Sequence, residues 1–215
     1  MSKKLNRTKL KEYEEKGYLF HGTDIANLKS IKPNKSGHKN EYIYATSDLA
    51  FATIFSARKG NSLVTMVIKN KEGVPCLCER AEGIFNKLYS RVSATVYIVD
   101  KNDFFHKKGM WANEFVSDKE VPIIEEITIP DIKEFLLELE KEEGEFKLVE
   151  YKDRKEYFPK IDEEEIDDVH ALIDKYGELR IHKTLEKWRP DLLEKIDWGQ
   201  ERVEIDTEIL NKKTL

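Results

Sequence analysis

Short apolar runs crowd the chain before about Asp131, spaced too closely for long helices to fit between them, and this limits the folds available. GYLFHG, YIYAT, LVTMVIK, ATVYIV and EFVS mix aromatic and β-branched residues, the composition of strands. Only short helical patterns separate them. Residues 24–31 set Ile25, Leu28 and Ile31 at helical spacing ahead of Pro33. Ser47 or Asp48 is placed to cap a helix over 49–58 that turns Leu49, Ala52 and Phe55 inward, with Ala50 and Ile54 beside them. Residues 81–91 form a weaker pattern carrying Ile84, Leu88 and Phe85. A doubly wound parallel sheet needs regular helical crossovers, so the pattern predicts an α+β domain with mostly antiparallel, packed sheets.

The character changes after Asp131. Residues 131–146 read as an amphipathic helix with an acidic outer face, and 162–188 as one or two more helices broken near Gly177. Residues 189–210 continue in the same style, with Pro190 at a helix start. The expected organisation is a β-rich domain over residues 1–132 and an acidic, mostly helical region over 133–215. Trp188 and Trp198, with Leu192, Leu193 and Ile196, predict either the seam that docks this region on the domain or a groove for a partner.

Composition narrows the function. The net charge of −5 gives no global pull toward nucleic acid, although a local basic patch is compatible with it. Hydrophobic residues at 40% are enough for a core, and charged residues at 37% imply much solvated helical surface. Cys76 and Cys78 fall on one face of a strand, too close for an unstrained disulfide and without a second pair for zinc. They read as ordinary thiols of a reducing compartment. No run approaches the roughly 18 apolar residues of a membrane span, and the N-terminal segment lacks the apolar centre of a signal peptide. The expectation is a soluble, cytoplasmic protein with no membrane contact. His170 and His182 lack metal-ligand spacing and read as surface or packing residues.

Three segments carry candidate chemistry. His21-Gly22-Thr23 ends a strand, Tyr44 lies in a strand that runs into the helix capped near Asp48, and Glu114 opens the run EFVS. Taken singly, each is a turn, a packing tyrosine and a solvated glutamate. In this order they resemble the ADP-ribosyltransferase fold, in the branch with a His-Tyr-Glu triad that includes the diphtheria toxin and the poly(ADP-ribose) polymerases. The matching stretches are LFHGT, IYATSDLA and NEFVS, and ANEFVSDKEVPIIEEITI is also similar to the glutamate strand of DNA-modifying toxins of that fold. The resemblance covers roughly residues 17–130 and says little about the rest.

The resemblance implies split antiparallel sheets with flanking helices and a transferase that uses NAD as substrate. Breaking the nicotinamide–ribose bond builds positive charge on the ribose, so the site must hold the leaving amide, orient the sugar and stabilise that charge. His21 is implied to bond the adenosine ribose, and the Gly22 backbone to hold the nicotinamide amide with Thr23 supporting the turn. Tyr44 is implied to stack on the nicotinamide ring and Glu114 to bond the nicotinamide-ribose hydroxyl. Ser47 is a weaker contact near the nicotinamide, and Phe51 a second aromatic wall or plain helix packing. The implied acceptor is a protein or a nucleic acid, the implied setting a toxin or defence enzyme, and the acidic C-terminal region a surface for a partner or antitoxin protein.

The chain departs from the pattern in places. The loop before the tyrosine strand has only Gly37 where the family is glycine-rich. Lys35, His38 and Lys39 there read as phosphate contacts or as a solvated loop. Glu41 and Glu120 are alternative carboxylates. An RNA 2′-phosphotransferase of the same architecture is a rival reading, disfavoured by the absence of an arginine set around the three motifs. A non-catalytic NAD- or protein-binding module is a third, disfavoured by the presence of all three triad residues.

Overall fold

The run ATVYIV is buried along its whole length because it is an inner strand of the largest sheet. A strand covered on both faces needs apolar residues at successive positions rather than alternation. The structure, a computed structural model, describes residues 3–35, 41–56 and 63–198. Along the chain come α1 (Lys3–Glu15), β1 (Leu19–Thr23), β2 (Ser30–Ile31), β3 (Asn34–Lys35), β4 (Glu41–Thr46) and α2 (Leu49–Ser56). β5 (Thr65–Lys69), β6 (Pro75–Glu79), α3 (Ile84–Tyr89), β7 (Ala94–Val99) and β8 (Glu114–Ser117) follow. Then come β9 (Val121–Pro122), β10 (Glu125–Ile129), α4 (Ile132–Glu140) and β11 (Lys147–Val149). The last helices are α5 (Arg154–Tyr157), α6 (Ile161–Tyr176), α7 (Glu178–Trp188) and α8 (Pro190–Leu193). The class is mixed α+β with mostly antiparallel sheets, as the spacing of the runs predicts.

The main sheet has the order β10-β7-β1-β4-β3, with β8 also paired to β4. All its pairings are antiparallel. β1 pairs with β7 at every residue, from Leu19↔Val99 to Thr23↔Thr95. With β4 it meets only at Phe20↔Thr46, after which the two strands part. β4 pairs with β8 from Ile43↔Ser117 to Thr46↔Glu114. A second sheet, β11-β6-β5, combines an antiparallel pair with the parallel pair β6–β11, and β2 pairs with β9.

Helix α2 begins where the Asp48 carboxylate accepts the Phe51 amide proton at 3.1 Å, the cap expected from the sequence. It lies against β1 so closely that a Cβ on Gly22 would stand 1.9 Å from the Ala52 carbonyl oxygen. Glycine is therefore required there by the helix-on-strand packing itself. Phe20, Leu49, Phe51 and Ile54 join Val96, Ile98 and Ile127 in the principal core.

One expectation needs correction. Residues 24–28 are irregular rather than helical, and 30–31 form β2. Local hydrogen bonds of a helix are replaced by distant partners: the Tyr97 hydroxyl donates to the Ile25 carbonyl and accepts from the Leu28 amide, both at 3.0 Å. Asn27, at φ 62°, donates its amide to Glu126 at 2.9 Å. Past the compositional change at Asp131, α4 and β11 pack with elements that precede it in the chain. Phe135, Leu136 and Leu139 of α4 belong to the principal core, and β11 extends the second sheet. Asp131 caps α4, which is why the charged segment starts there.

The remaining helices behave as their sequence predicts. Gly177, at φ 81°, separates α6 from α7, and Pro190 opens α8. Leu192 and Ile196 are buried with Leu63, Val64 and Ile84, and Trp188, Leu193 and Trp198 pack against them. These residues form the docking seam, one of the two roles the sequence left open. Residues 199–215 lie outside the described part.

Candidate functional site

The pairing register brings the three motif strands side by side. β4 lies between β1 and β8, so His21, Tyr44 and Glu114 sit on three neighbouring strands. Residues directly opposite in an antiparallel pair share a face, so Glu114 shares one with Thr46 and, two residues along, with Tyr44. Alternation along β1 puts Gly22 on the face of Phe20 and Thr46, and His21 on the other. The parting of β1 from β4 lets the His21 ring reach across the gap, where Nδ1 lies 2.7 Å from the Tyr44 carbonyl oxygen. A carbonyl only accepts, so Nδ1 carries the proton and Nε2 of the neutral ring is an acceptor. Burial pushes the His21 pKa below its ordinary value, and the Tyr44 bond offsets this only in part.

Two open hollows adjoin this strand trio and share Tyr42 and Tyr44. The larger, of about 690 Å³, is walled by His21, Gly22, Thr23, Ile25, Lys29 and Lys32 among others. The smaller, of about 360 Å³, is walled by Glu114, Lys107, Lys108, Met110 and Trp111. Tyr44 thus meets His21 in one hollow and Glu114 in the other. The Glu114 carboxylate has no hydrogen bond or ion pair with the described residues. Its backbone is held firmly: the amide donates to Trp111 O at 2.9 Å and the carbonyl accepts from His106 Nδ1 at 3.1 Å.

The other predicted site residues divide. The Thr23 hydroxyl accepts the Ile25 amide at 3.2 Å, so it does support the turn after β1. Phe51 is buried in the principal core and walls neither hollow, which makes it helix packing. Its ring stacks on Trp111 at 5.1 Å, and Trp111 in turn walls the smaller hollow together with Tyr42 and Tyr44. Ser47 also walls neither hollow, and its amide donates to Asn113 O at 3.0 Å. Glu120 walls neither hollow itself and is held from behind the rim of the larger one, where Ser30 Oγ donates to it and Lys32 Nζ is 4.0 Å distant. Glu41 is exposed at the start of β4. His38 and Lys39 lie outside the described residues, as does the Lys35 side chain.

Three features escaped the sequence reading. Trp111 and the lysines of the loop before β8 carry no periodic pattern, and only their nearness to Glu114 hinted at a role. Tyr42 is the other tyrosine of the run YIYAT, and its ring is edge-on to both Tyr44 and Phe105 and borders both hollows. Asn113 is buried and clasps the end of β4, donating from Nδ2 to Thr46 Oγ1 at 3.2 Å. The same hydroxyl accepts the Asp48 amide at 3.1 Å, so the tyrosine strand, the α2 cap and Glu114 are held as one piece.

Elsewhere the titratable clusters are structural. Cys76 and Cys78 are buried free thiols, and burial pushes the Cys78 pKa up to about 12, far from a reactive thiolate. Among the described residues no group of three or more His, Cys, Asp or Glu is arranged to hold a metal ion, and no described helix is long and apolar enough to cross a membrane. Comparison of the chain with family models, with curated proteins and with solved structures returns no match.

Proposed function

We propose that this protein is an NAD-consuming mono-ADP-ribosyltransferase on an ADP-ribosyltransferase-like split sheet. It breaks the bond between nicotinamide and ribose and passes ADP-ribose to a macromolecular acceptor. The observation that carries the reading is the adjacency of the His21, Tyr44 and Glu114 strands at the point where β1 and β4 part.

Each residue then has a physical task. His21 Nε2 accepts a hydroxyl of the adenosine ribose, because Nδ1 is already committed to the Tyr44 carbonyl. The dinucleotide spans the two hollows across the Tyr44 ring, with Lys29 and Lys32 within the larger one to face its phosphates. The Glu114 carboxylate holds the 2′-hydroxyl of the nicotinamide ribose and stabilises the positive charge that grows there as the bond breaks. The acceptor nucleophile supplies the electron pair for the new bond to ribose, nicotinamide departs with the old pair, and the nucleophile's proton goes to solvent. Among the described residues no arginine walls either hollow, so nothing described there favours the 2′-phosphotransferase reading.

The test is nicotinamide release from NAD with cell lysate supplying acceptors, compared among the wild type, Glu114→Gln and His21→Ala. The expected result is release by the wild type, loss of turnover in Glu114→Gln with NAD still bound, and weakened NAD binding in His21→Ala. A wild type that neither binds NAD nor releases nicotinamide overturns the proposal.

A further inference from the structure

Among the described residues the second sheet ends on β5. Two backbone bonds fix which way the groups of that strand point. The Arg80 amide donates to Val64 O at 2.9 Å, and the Asn70 amide to Val74 O at 3.0 Å. Both continue the register of β5 on β6, which sets Met66 opposite Cys78 and Ile68 opposite Cys76. Hydrogen-bonded pairs alternate along an antiparallel ladder, so Val64, Met66, Ile68 and Asn70 spend their backbone groups on β6. Thr65, Val67 and Lys69 turn theirs to the outer side, where no described strand receives them. This edge is not wet at its start, since Thr65 is 5% exposed. Buried backbone groups are almost always paired, so the edge calls for a neighbour.

The C-terminal helices lead to the same place. Arg189 Nη1 donates to Leu63 O at 3.4 Å, and Ile196 and Trp198 pack in the cluster that holds Leu63 and Val64, the two residues ahead of β5. Beyond Trp198 the sequence changes period. Val203, Ile205, Thr207 and Ile209 alternate with Glu204, Asp206 and Glu208. At strand spacing the four β-branched residues share one face and the three carboxylates the other. At helical spacing neighbours two apart are about 200° apart, and the stripe is lost.

We propose that residues 203–209 form a fourth strand of the second sheet, paired with the outer edge of β5. The occupant is this chain's own segment because it departs from the entrance to β5. The four residues 199–202 reach roughly 14 Å, and a neighbouring strand lies about 4.8 Å away. The direct course from Trp198 runs beside β5 in the same direction. Thr65, Val67 and Lys69 then gain backbone partners, and the apolar row extends the face on which Val67 meets the principal core. An edge filled in this way is closed to pairing with other chains. The far end of β5 adjoins the α2 cap, where Lys69 Nζ lies 3.3 Å from Asp48.

The test is amide hydrogen exchange resolved by NMR on the full chain, with wild type compared to Val203→Lys/Ile205→Lys. The Met66 and Ile68 amides, bonded to β6, should exchange slowly in both proteins and report that the sheet is folded. The Thr65 and Val67 amides should be slow in wild type and roughly tenfold faster in the variant, the size of one lost hydrogen bond. Interstrand NOEs between residues 203–209 and 65–69 should be present in wild type, and they give the same answer without any substitution.

Fast exchange at Thr65 and Val67 in wild type, or the absence of those NOEs, overturns the inference. So does slow exchange that the double substitution leaves untouched, which gives the edge some other cover. Protection that grows with protein concentration, together with the mass of a dimer in light scattering, gives the edge to a second copy and equally overturns its assignment to the chain's own segment.

Discussion

Two regions of this molecule place ionisable side chains away from bulk water, and they treat them in opposite ways. At the seam under the C-terminal helices, the guanidinium of Arg189 is 2% exposed and fully engaged. It donates to Glu165 at 2.7 Å, to Asp191 at 2.8 and 2.9 Å, and to the Leu63 carbonyl at 3.4 Å. Nearby, the Glu79 carboxylate accepts the Phe85 and Tyr151 amides at 2.8 and 3.2 Å. Around the cleft, His21 keeps one ring nitrogen and Glu114 its whole carboxylate without a partner among the described residues, and both face open hollows. The difference teaches that perturbed or buried charge alone does not mark function. What separates the regions is where unspent capacity points: at the seam Glu165 Oε1, without a hydrogen bond, lies 4.0 Å from the buried Arg80 Nε, whereas at the cleft it points at open space.

The largest expected effect lies at the seam. Arg189→Ala removes the hydrogen-bonded partner of the buried Glu165 carboxylate, leaving it only Arg80 at 4.0 Å, and should destabilise the fold by about 3–5 kcal/mol in urea unfolding. Replacing both partners, Arg189→Met with Glu165→Leu, should recover much of that loss, because a buried pair exchanged for apolar side chains is often neutral. If Arg189→Ala costs no more than a surface change, the seam does not depend on its ion network. Glu114→Gln should give the reverse profile. We expect turnover to fall by roughly 10²–10³, the size of losing one aimed electrostatic group, with stability within about 0.5 kcal/mol of wild type. A Glu114→Gln protein that loses stability and keeps its turnover erases the contrast.

The two regions also differ in how readable they are. At the seam, helical periodicity, Gly177 and Pro190 announce the elements, and the apolar stripe with Trp188 and Trp198 announces the docking. The cleft strands are legible as strands, but their adjacency is a matter of pairing register across residues 21, 44 and 114, which no local pattern encodes. Residues 24–28 misled because Ile25 and Leu28 stand at helical spacing while their backbones bond Tyr97, and the Asn27 amide bonds Glu126, both far away in sequence. Helix α1 was invisible in a charged segment because Leu10 alone of its described residues is fully buried. Several of its other ties are polar, with Tyr13 donating to Glu125 at 2.7 Å and Glu14 accepting the Leu49 amide at 3.2 Å.

Gly22 joins packing to site and gives a mid-sized effect. Gly22→Ala drives a methyl into the Ala52 carbonyl, so β1 and α2 must separate at a cost of about 1–3 kcal/mol, the range for overpacking. Because the same strand carries His21, NAD affinity should fall along with the melting temperature. If the affinity falls while the melting temperature holds, the glycine serves the ligand and not the helix.

The smallest effect is a pH dependence that separates the two regions by which form each stabilises. Burial holds the His21 pKa below its ordinary value, so the folded protein keeps the ring neutral while the unfolded chain protonates near 6.5. The unfolded state then binds more protons, and stability rises with pH across that interval. The contribution is complete above about pH 6.5 and is lost as pH falls through the folded pKa. Asp191 has the same sign in a lower window, because Arg189 holds its carboxyl below the ordinary carboxylate range. Its contribution is complete above about pH 4 and disappears as pH falls through its own folded pKa. His21 adds a second readout that Asp191 lacks, since protonation removes the Nε2 acceptor. NAD affinity should therefore weaken in step with the imidazole titration followed by NMR, and His21→Gln should bind weakly at every pH. An affinity that is flat across the titration of His21 would detach this histidine from the ligand and leave it a brace between β1 and β4, on the structural side of the contrast.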